Sequence, residues 1–321
     1  MNLDEIKVER ELRILFMGTP TFSVPVLEGL IEHYKVKAVI TQPNRLVGRK
    51  QTLMAPPIAE VAHRHMILVL QPEKIKDAVE EIVALRPDLI ITCAYGQILP
   101  KAILECAPLG CINVHASLLP KLRGGAPIHH AIMDGYKKTG ITIMHMNPRM
   151  DEGDIISQKE VEITDNDTAS SLHDKLSLVG RQLLLETLPK IIDGSALRIK
   201  QDASQATYGF NITREEEKIN FSKSRKEIYN QIRGLNSWPG AYTRWNGRII
   251  KVWEARMTTN TFPDLLDGTV TAIYEDGFGV KVSNGELVFT EVQPEGKSKM
   301  TATQFLNGLQ DKQKLLGQIF D

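Results

Sequence analysis

The sequence predicts an α/β protein: a Rossmann-like, doubly wound, mainly parallel sheet, followed by a small antiparallel β-barrel of the OB-like kind. Three observations carry that expectation. Apolar strand-like runs alternate with segments of helical period up to residue 194. Beyond residue 212 short β-rich runs are punctuated by Asn246-Gly247, Asp276-Gly277 and Asn284-Gly285, each a hairpin-turn dipeptide. Finally, 321 residues are too many for one ordinary core, so two domains are expected.

The elements follow in order. The run Arg13-Ile14-Leu15-Phe16-Met17-Gly18 reads as a buried strand ending in Gly18-Thr19-Pro20, and Phe22, Val26, Leu27, Leu30 and Ile31 then recur at helical spacing. A strand is expected at 36–41, after which 42–53 is polar and basic, hence a loop. A helix at 59–65, a short strand at 68–70, a helix at 73–85 and a β-rich run at 88–94 continue the alternation. Strands at 111–115 and 139–146 complete it. In such sheets ligands bind beyond the carboxyl ends of the strands, which here fall at Tyr95-Gly96, at His115 and from Asn147 onward. The amphipathic segment 170–188, with Leu172, Leu176, Val179, Leu183 and Leu184 on one side, closes a first domain at 1–194. Residues 195–211 are polar and poorly periodic and read as a linker to a second domain at 212–321. There Ile228, Ile232 and Leu235 mark one helix before the short strands, which suit a small barrel or sandwich.

Composition narrows the function. A formal net charge of zero argues against a generally basic nucleic-acid coat while leaving room for a local patch. No apolar run approaches the ~18 residues that span a bilayer, so no membrane partner is expected. Residues 1–11 interleave acidic and basic side chains without an apolar stretch, which argues against a secretory signal. Cys93, Cys106 and Cys111 are odd in number and lack C-x-x-C spacing, so free thiols in a reducing cytoplasm are expected. The chain is expected to be a monomer.

A doubly wound sheet invites a nucleotide cofactor, but the first strand is followed by Gly18 and then Thr19-Pro20-Thr21. Neither the G-x-G-x-x-G spacing nor a G-x-x-x-x-G-K loop is present. The dense polar cluster lies instead at 113–127. Asn113 and His115 share one face of a strand because side chains alternate. Alone, an Asn-x-His pair reads more often as a capped strand edge than as a site. Here the strand runs into a Pro- and Gly-rich segment too constrained for an ordinary connector, and Asp151-Glu152-Gly153-Asp154 follows downstream. An amide, an imidazole and a carboxylate can together run an addition–elimination at a carbonyl. The imidazole moves protons near neutral pH, the amide donates to a developing oxyanion, and the carboxylate orients the ring.

The segment 113–127, containing Ser117-Leu118-Leu119-Pro120-Lys121-Leu122-Arg123-Gly124, is preceded by Ala94-Tyr95-Gly96-Gln97-Ile98-Leu99-Pro100 and followed by Asp151 to Asp154. Together these resemble the 10-formyltetrahydrofolate-dependent formyltransferases. The resemblance runs from Phe16-Met17-Gly18-Thr19-Pro20 to Val292-Gln293-Pro294-Glu295-Gly296-Lys297, nearly the whole chain. It implies 10-formyltetrahydrofolate as formyl donor, no metal, and initiator methionyl-tRNA as the amine acceptor. It also implies Asn113, His115 and Asp151 as the catalytic trio, and a folate pocket lined by Tyr95, Gly96, Ile98 and Leu99 with Ser117, Leu118, Leu119 and Pro120. The basic loop, with Arg45, Arg49 and Lys50, would reach the tRNA acceptor end. The sequence departs from the family in Ala116 where Gly is usual, in Gly125 where Ala is usual, and in Asn147-Pro148-Arg149-Met150 ahead of Asp151. These departures leave the trio intact and bear on the loop over the pterin.

Other polar residues have plainer readings. His129 and His130 are adjacent, so they face apart on a helix, and no acidic or thiol ligand lies at metal spacing. His145 suits a core-lining position, and His63 and His65 a helix end. Between 218 and 256 the basic residues are Lys218, Lys223, Arg225, Lys226, Arg233, Arg244, Arg248, Lys251 and Arg256, against Glu227 and Glu254, nine to two. Tyr229, Trp238, Tyr242, Trp245 and Trp253 are interleaved with them. Trp238 and Trp253 read as core, and a basic face beside them, with Lys223, Arg225, Arg244 and Arg248, suits an RNA backbone. Two rivals stay open: a formyltransferase acting on an amino sugar or small amine, which needs the trio but not the basic surfaces, and a non-catalytic RNA-binding protein, in which the trio could be altered without effect.

Overall fold

The computed structural model describes residues 12–48 and 51–321; the segment 1–11, together with Arg49 and Lys50 of the basic loop, lies outside the described residues. The chain divides into two compact units. One gathers the chain up to Arg123 with Gly140–Val161 and Asp174–Thr207, and the other gathers Gly124–Thr139, Glu162–His173 and Tyr208–Asp321.

The first half of the chain runs β1 (Ile14–Gly18), α1 (Val24–His33), β2 (Val36–Ile40), β3 (Arg45–Val47), β4 (Thr52–Met54), α2 (Pro57–Arg64), β5 (Leu68–Leu70), α3 (Val79–Ala84), β6 (Leu89–Cys93), α4 (Lys101–Leu104) and β7 (Cys111–His115). It continues through α5 (Pro127–Met133), β8 (Lys138–His145), β9 (Ile155–Glu162) and α6 (Ala169–Ile192). The sheet is mixed, in the order β5-β2-β1-β6-β7-β8-β9. Its β5, β2, β1, β6 and β7 pair in parallel, and β8 returns antiparallel to β7. Every residue of β1 and β6 is buried, which is why both read as unbroken apolar runs rather than alternating ones. Prolines open α1, α2 and α5 within their first two positions, where a missing N–H costs no helical bond. On α6, Leu172, Leu176, Leu183, Leu184 and Leu188 are buried. Gly180 lets that helix lie close to the sheet, since a Cβ there would sit 3.1 Å from a methyl of Val114.

The structure departs from the expected elements in three places. The loop expected at 42–53 carries the short antiparallel hairpin β3–β4, with Leu46, Val47, Leu53 and Met54 exposed. Three-residue strands are too short to show a period. The helix expected over 73–85 opens as a 3-10 turn at Ile75–Ala78 before α3. The edge strand β9 gave no apolar run, because beyond its first two residues only alternate positions are partly sheltered.

The second half contributes α7 (Arg214–Glu217), α8 (Arg225–Gly234), β10 (Ala241–Trp245), β11 (Arg248–Met257), β12 (Val270–Ile273), β13 (Phe278–Val282), β14 (Gly285–Pro294), β15 (Met300–Thr301) and α9 (Ala302–Asn307). The strands form an antiparallel sheet ordered β10-β11-β14-β13-β12, with β15 added to β14. Asn246-Gly247 lies between β10 and β11 and Asp276-Gly277 between β12 and β13, while Asn284-Gly285 turns the chain from β13 into β14, whose first residue is Gly285. α8 is started by a capping box in which Ser224 and Glu227 satisfy each other's backbone donors, and its Ile228 and Ile232 pack into a core with Phe278, Phe289 and Phe320. Arg244 and Asp321 exchange backbone hydrogen bonds at 2.8 and 3.0 Å, Val270 N donates to Gln318 O at 2.8 Å, and Phe320 N to Gly268 O at 2.9 Å. Residues 318–321 thus tie edge strand β10 to the chain at the start of edge strand β12. Trp253 is buried as expected, but Trp238 is 70% exposed beside His129 and is not core.

Candidate active site

The site grows from the carboxyl ends of β6 and β7. Parallel register sets Thr92 beside Asn113. The Thr92 hydroxyl lies 2.8 Å from Asn113 Oδ1, close enough to donate to it, and 3.1 Å from the Ile112 carbonyl. With its oxygen held, the amide has its Nδ2 hydrogens left to donate. Two residues on, His115 is 6% exposed. Its Nε2 lies 3.1 Å from the Leu122 carbonyl. A carbonyl only accepts, so Nε2 carries the proton and Nδ1 is the nitrogen left for proton exchange. That nitrogen faces Asp151 Oδ1 at 3.8 Å. An amide donor, an imidazole and a carboxylate therefore converge from β7 and from the turn after β8.

The chain after His115 is shaped by buried hydroxyls. Thr142 Oγ1 donates to the Ser117 carbonyl at 2.6 Å and accepts from Leu119 N at 3.1 Å, while Gln158 Nε2 donates to Leu119 O at 2.8 Å. Ser117 turns its own hydroxyl inward, onto Lys121 O at 2.6 Å. Leu122 takes a left-handed conformation (φ 54°), and its N–H is held by Thr207 Oγ1 at 2.9 Å. The rigidity expected from Ser117-Leu118-Leu119-Pro120 is thus supplied largely by β8, β9 and residue 207.

Residues expected to line a folate pocket are placed unevenly. Tyr95 and Leu99 are each 5% exposed and pack into one apolar cluster, and Leu119 packs with Met144 and Ile155 in another. Gly96 has φ 88°, Leu118 and Pro120 are half-buried, and Ile98 is 89% exposed. Burial pushes the Tyr95 hydroxyl up to about 12 and the Cys93 thiol to about 12, and it raises Cys111 further. No thiolate nucleophile is therefore on offer beside Asn113. His145 is half-buried, its pKa lowered by burial and by the Arg198 charge. Among the described residues no group of three or more His, Cys, Asp or Glu side chains could hold a metal ion.

Of the expected tRNA contacts, Arg45 is exposed on β3 and paired to Glu73 at 3.0 Å, while Arg49 and Lys50 lie outside the described residues. In the second unit Lys223 and Arg248 are exposed, and Arg244 donates to Gly247 O at 3.3 Å. Arg225 is turned inward to the Thr258 carbonyl. The nine-to-two count overstates the available charge. Arg233, 7% exposed, donates to the Thr164 and Asp167 carbonyls, Lys226 pairs with Asp165 at 2.7 Å and Arg256 with Asp276 at 2.5 Å. Those acids lie outside the counted segment, so a count within it does not subtract them. His129 and His130 bond the carbonyls of Gly234 and Phe210.

Sequence reasoning missed Thr92, Thr142, Gln158, Gln201 and Thr207. Their partners are chosen by strand register or by distant chain, and no local motif marks them.

The comparisons with known proteins supply the class. The sequence profile of the formyl transferase family matches residues 12–188 and that of the formyl transferase C-terminal domain matches 211–310; the chain belongs to the formyl transferase family. Among individual proteins, it is 54% identical over 301 residues to the methionyl-tRNA formyltransferase of Bacillus cereus (strain B4264), covering 92% of this chain and 96% of that one. It is 52% identical over 303 residues to the methionyl-tRNA formyltransferase of Bacillus subtilis (strain 168), covering 92% and 94%. In fold it is similar to the N-formyltransferase from Helicobacter canadensis in complex with folinic acid and dTDP-3-aminofucose, with a TM-score of 0.66, 22% identity, and 87% and 99% of the two chains covered. HypX from Aquifex aeolicus in complex with tetrahydrofolic acid gives 0.62 at 17% identity, over 94% of this chain and 48% of that one.

Proposed function

We propose that the chain transfers the formyl group of 10-formyltetrahydrofolate to the amino group of methionyl-initiator-tRNA, giving N-formylmethionyl-tRNA for translation initiation. The observation that carries this reading is His115, with Nε2 committed to Leu122 O and Nδ1 turned to Asp151 at 3.8 Å. Asn113 donates through Nδ2 to the formyl oxygen as it gains charge. His115, steadied by Asp151, takes part in moving the proton that the attacking amine gives up. A new bond forms between the amine nitrogen and the formyl carbon, the bond from that carbon to N10 breaks, and the proton ends on N10.

In this reading Tyr95, Gly96, Ile98 and Leu99 with Ser117, Leu118, Leu119 and Pro120 shape the folate pocket. Arg45, Arg49 and Lys50 meet the acceptor end of the tRNA, and Lys223, Arg244 and Arg248 meet its backbone, whereas Arg225 is committed to the Thr258 carbonyl. Residues 1–194 act as the catalytic domain, with 195–207 packed onto it, and 212–321 as an OB-like barrel whose closure residues 318–321 would complete. The protein works as a cytoplasmic monomer. Among the described residues no helix is long and apolar enough to cross a membrane.

The test is to incubate the purified chain with 10-formyltetrahydrofolate and either charged initiator tRNA or free amino sugars. Formylation of the tRNA alone is expected, and His115→Ala and Asn113→Ala should each lose roughly a hundredfold or more in turnover while staying folded. Amino-sugar formylation alone would overturn the substrate, and wild-type turnover by His115→Ala would overturn the site.

A further inference from the structure

Building on the reading of Asp151 as a member of the catalytic trio, we propose that Gln201 is a positioning residue that sets the Asp151 carboxylate against His115. Asp151 lies in the left-handed region (φ 53°), an uncommon conformation for a residue with a Cβ though one that Asp tolerates better than most. Gln201 holds it from both sides. Its Nε2 donates to the Asp151 carbonyl at 2.7 Å and to the Gly153 carbonyl at 2.8 Å. Its Oε1 accepts from Arg123 Nε at 3.2 Å and from Arg123 Nη2 at 2.9 Å. Arg123 in turn places Nη1 3.2 Å from Glu152 Oε1. Between them the two side chains engage all three residues of the turn, Gln201 at 151 and 153 and Arg123 at 152.

The chemistry of the partners fixes which way the amide points. A guanidinium only donates and a carbonyl only accepts, so Oε1 must face Arg123 and Nε2 must face the turn. All four hydrogen-bonding positions of the amide are then used. Both residues are buried, Gln201 at 7% and Arg123 at 2% exposure, so water cannot easily replace either one. Gly153 completes the turn, because a Cβ there would overlap the His145 carbonyl oxygen. Ile199 pairs as a β-bridge with Ile155, which anchors Gln201 from two residues upstream. The segment 195–207 is therefore built into the catalytic unit at the carboxylate that His115 faces.

The experiment compares the full-length chain with Gln201→Met, which matches the length but donates nothing, and Gln201→Glu, which keeps an oxygen for Arg123 but opposes two carbonyls. Asp151→Asn and the double variant Gln201→Met with Asp151→Asn complete the set, assayed with 10-formyltetrahydrofolate and charged initiator tRNA, with thermal melts as the folding check. Both single Gln201 variants should lose about tenfold or more in kcat with KM for folate changed by less than about twofold. The pH–rate profile of Gln201→Met should take the form shown by Asp151→Asn, and the double variant should be no slower than Asp151→Asn alone within about twofold, because both changes remove one function. Wild-type kcat in either Gln201 variant, fully additive losses, or failure of both variants to fold would overturn the positioning role. Full turnover by Asp151→Asn would instead overturn the catalytic reading on which it rests.

Discussion

Asn113 is left to act as a donor because Thr92 occupies its oxygen, and that hydrogen bond exists because β6 and β7 run parallel in the register that pairs the two residues. Thr92→Val is nearly isosteric and removes only the hydroxyl. A single neutral hydrogen bond is worth about 1 kcal/mol, so kcat should fall by roughly fivefold in Thr92→Val with KM little changed, and Thr92→Ser should restore it. Equal activity in all three proteins would show that the amide is oriented by something else. Asn113 and His115 were legible in the sequence because strand alternation alone puts 113 and 115 on one face. Thr92 and Gln201 were not, since each is 21 or more positions from the group it holds, and only folding shortens that distance.

At the scale of elements, the parallel pair β1 and β6 is closed at its entry by Arg13 and Asp88. Arg13 donates from Nε to Asp88 Oδ2 at 3.0 Å, from Nη2 to Oδ1 at 2.9 Å and from its backbone N to Oδ2 at 2.9 Å. Burial alone would push the Asp88 carboxyl up. The hydrogen bonds and charge of Arg13, aided by Lys37, outweigh it and hold Asp88 below its ordinary value. A carboxylate depressed on folding contributes stability above its unfolded pKa and loses it as pH falls through the folded value. Asp88→Asn should therefore cost about 1 kcal/mol at neutral pH, the upper end for a surface pair with bidentate geometry, and the deficit should begin to shrink as pH falls past the ordinary aspartate value of about 3.9 and be gone below the lower folded value. Urea unfolding across that range checks it, and a deficit independent of pH would contradict the assignment. Strands, helix starts and the three hairpin turns were legible because burial, proline and Asn-Gly or Asp-Gly each leave a local mark. The hairpin β3–β4 left none that three-residue strands could display.

At the scale of the whole molecule, charge behaves differently from its linear count. The basic excess between 218 and 256 is taken up in part by hydrogen bonds of Arg225 and Arg233 to carbonyls and by ion pairs of Lys226 and Arg256, while Lys218, Lys223 and Arg248 are exposed. Replacing Lys223 and Arg248 with Gln should weaken tRNA binding and lower the slope of log Kd against log salt by about one for each phosphate no longer neutralised, with folate binding unchanged. Arg225→Gln should instead lower the melting temperature, since its guanidinium bonds the Thr258 carbonyl. An unchanged salt slope in the Lys223 and Arg248 variant would remove those residues from the tRNA surface.

By itself the sequence determined the alternation of strands and helices, the antiparallel second half, the trio candidates and the family, because hydrophobic period, turn chemistry and a long motif are written in neighbouring residues. Only the tertiary structure decided what occupies the Asn113 amide oxygen, what holds Asp151 in a left-handed turn, and how much of the basic segment faces solvent. Those depend on register and on partners far away in the chain, such as Gln201 for Asp151 and Asp165 for Lys226, and proximity of that kind comes into being only when the chain folds.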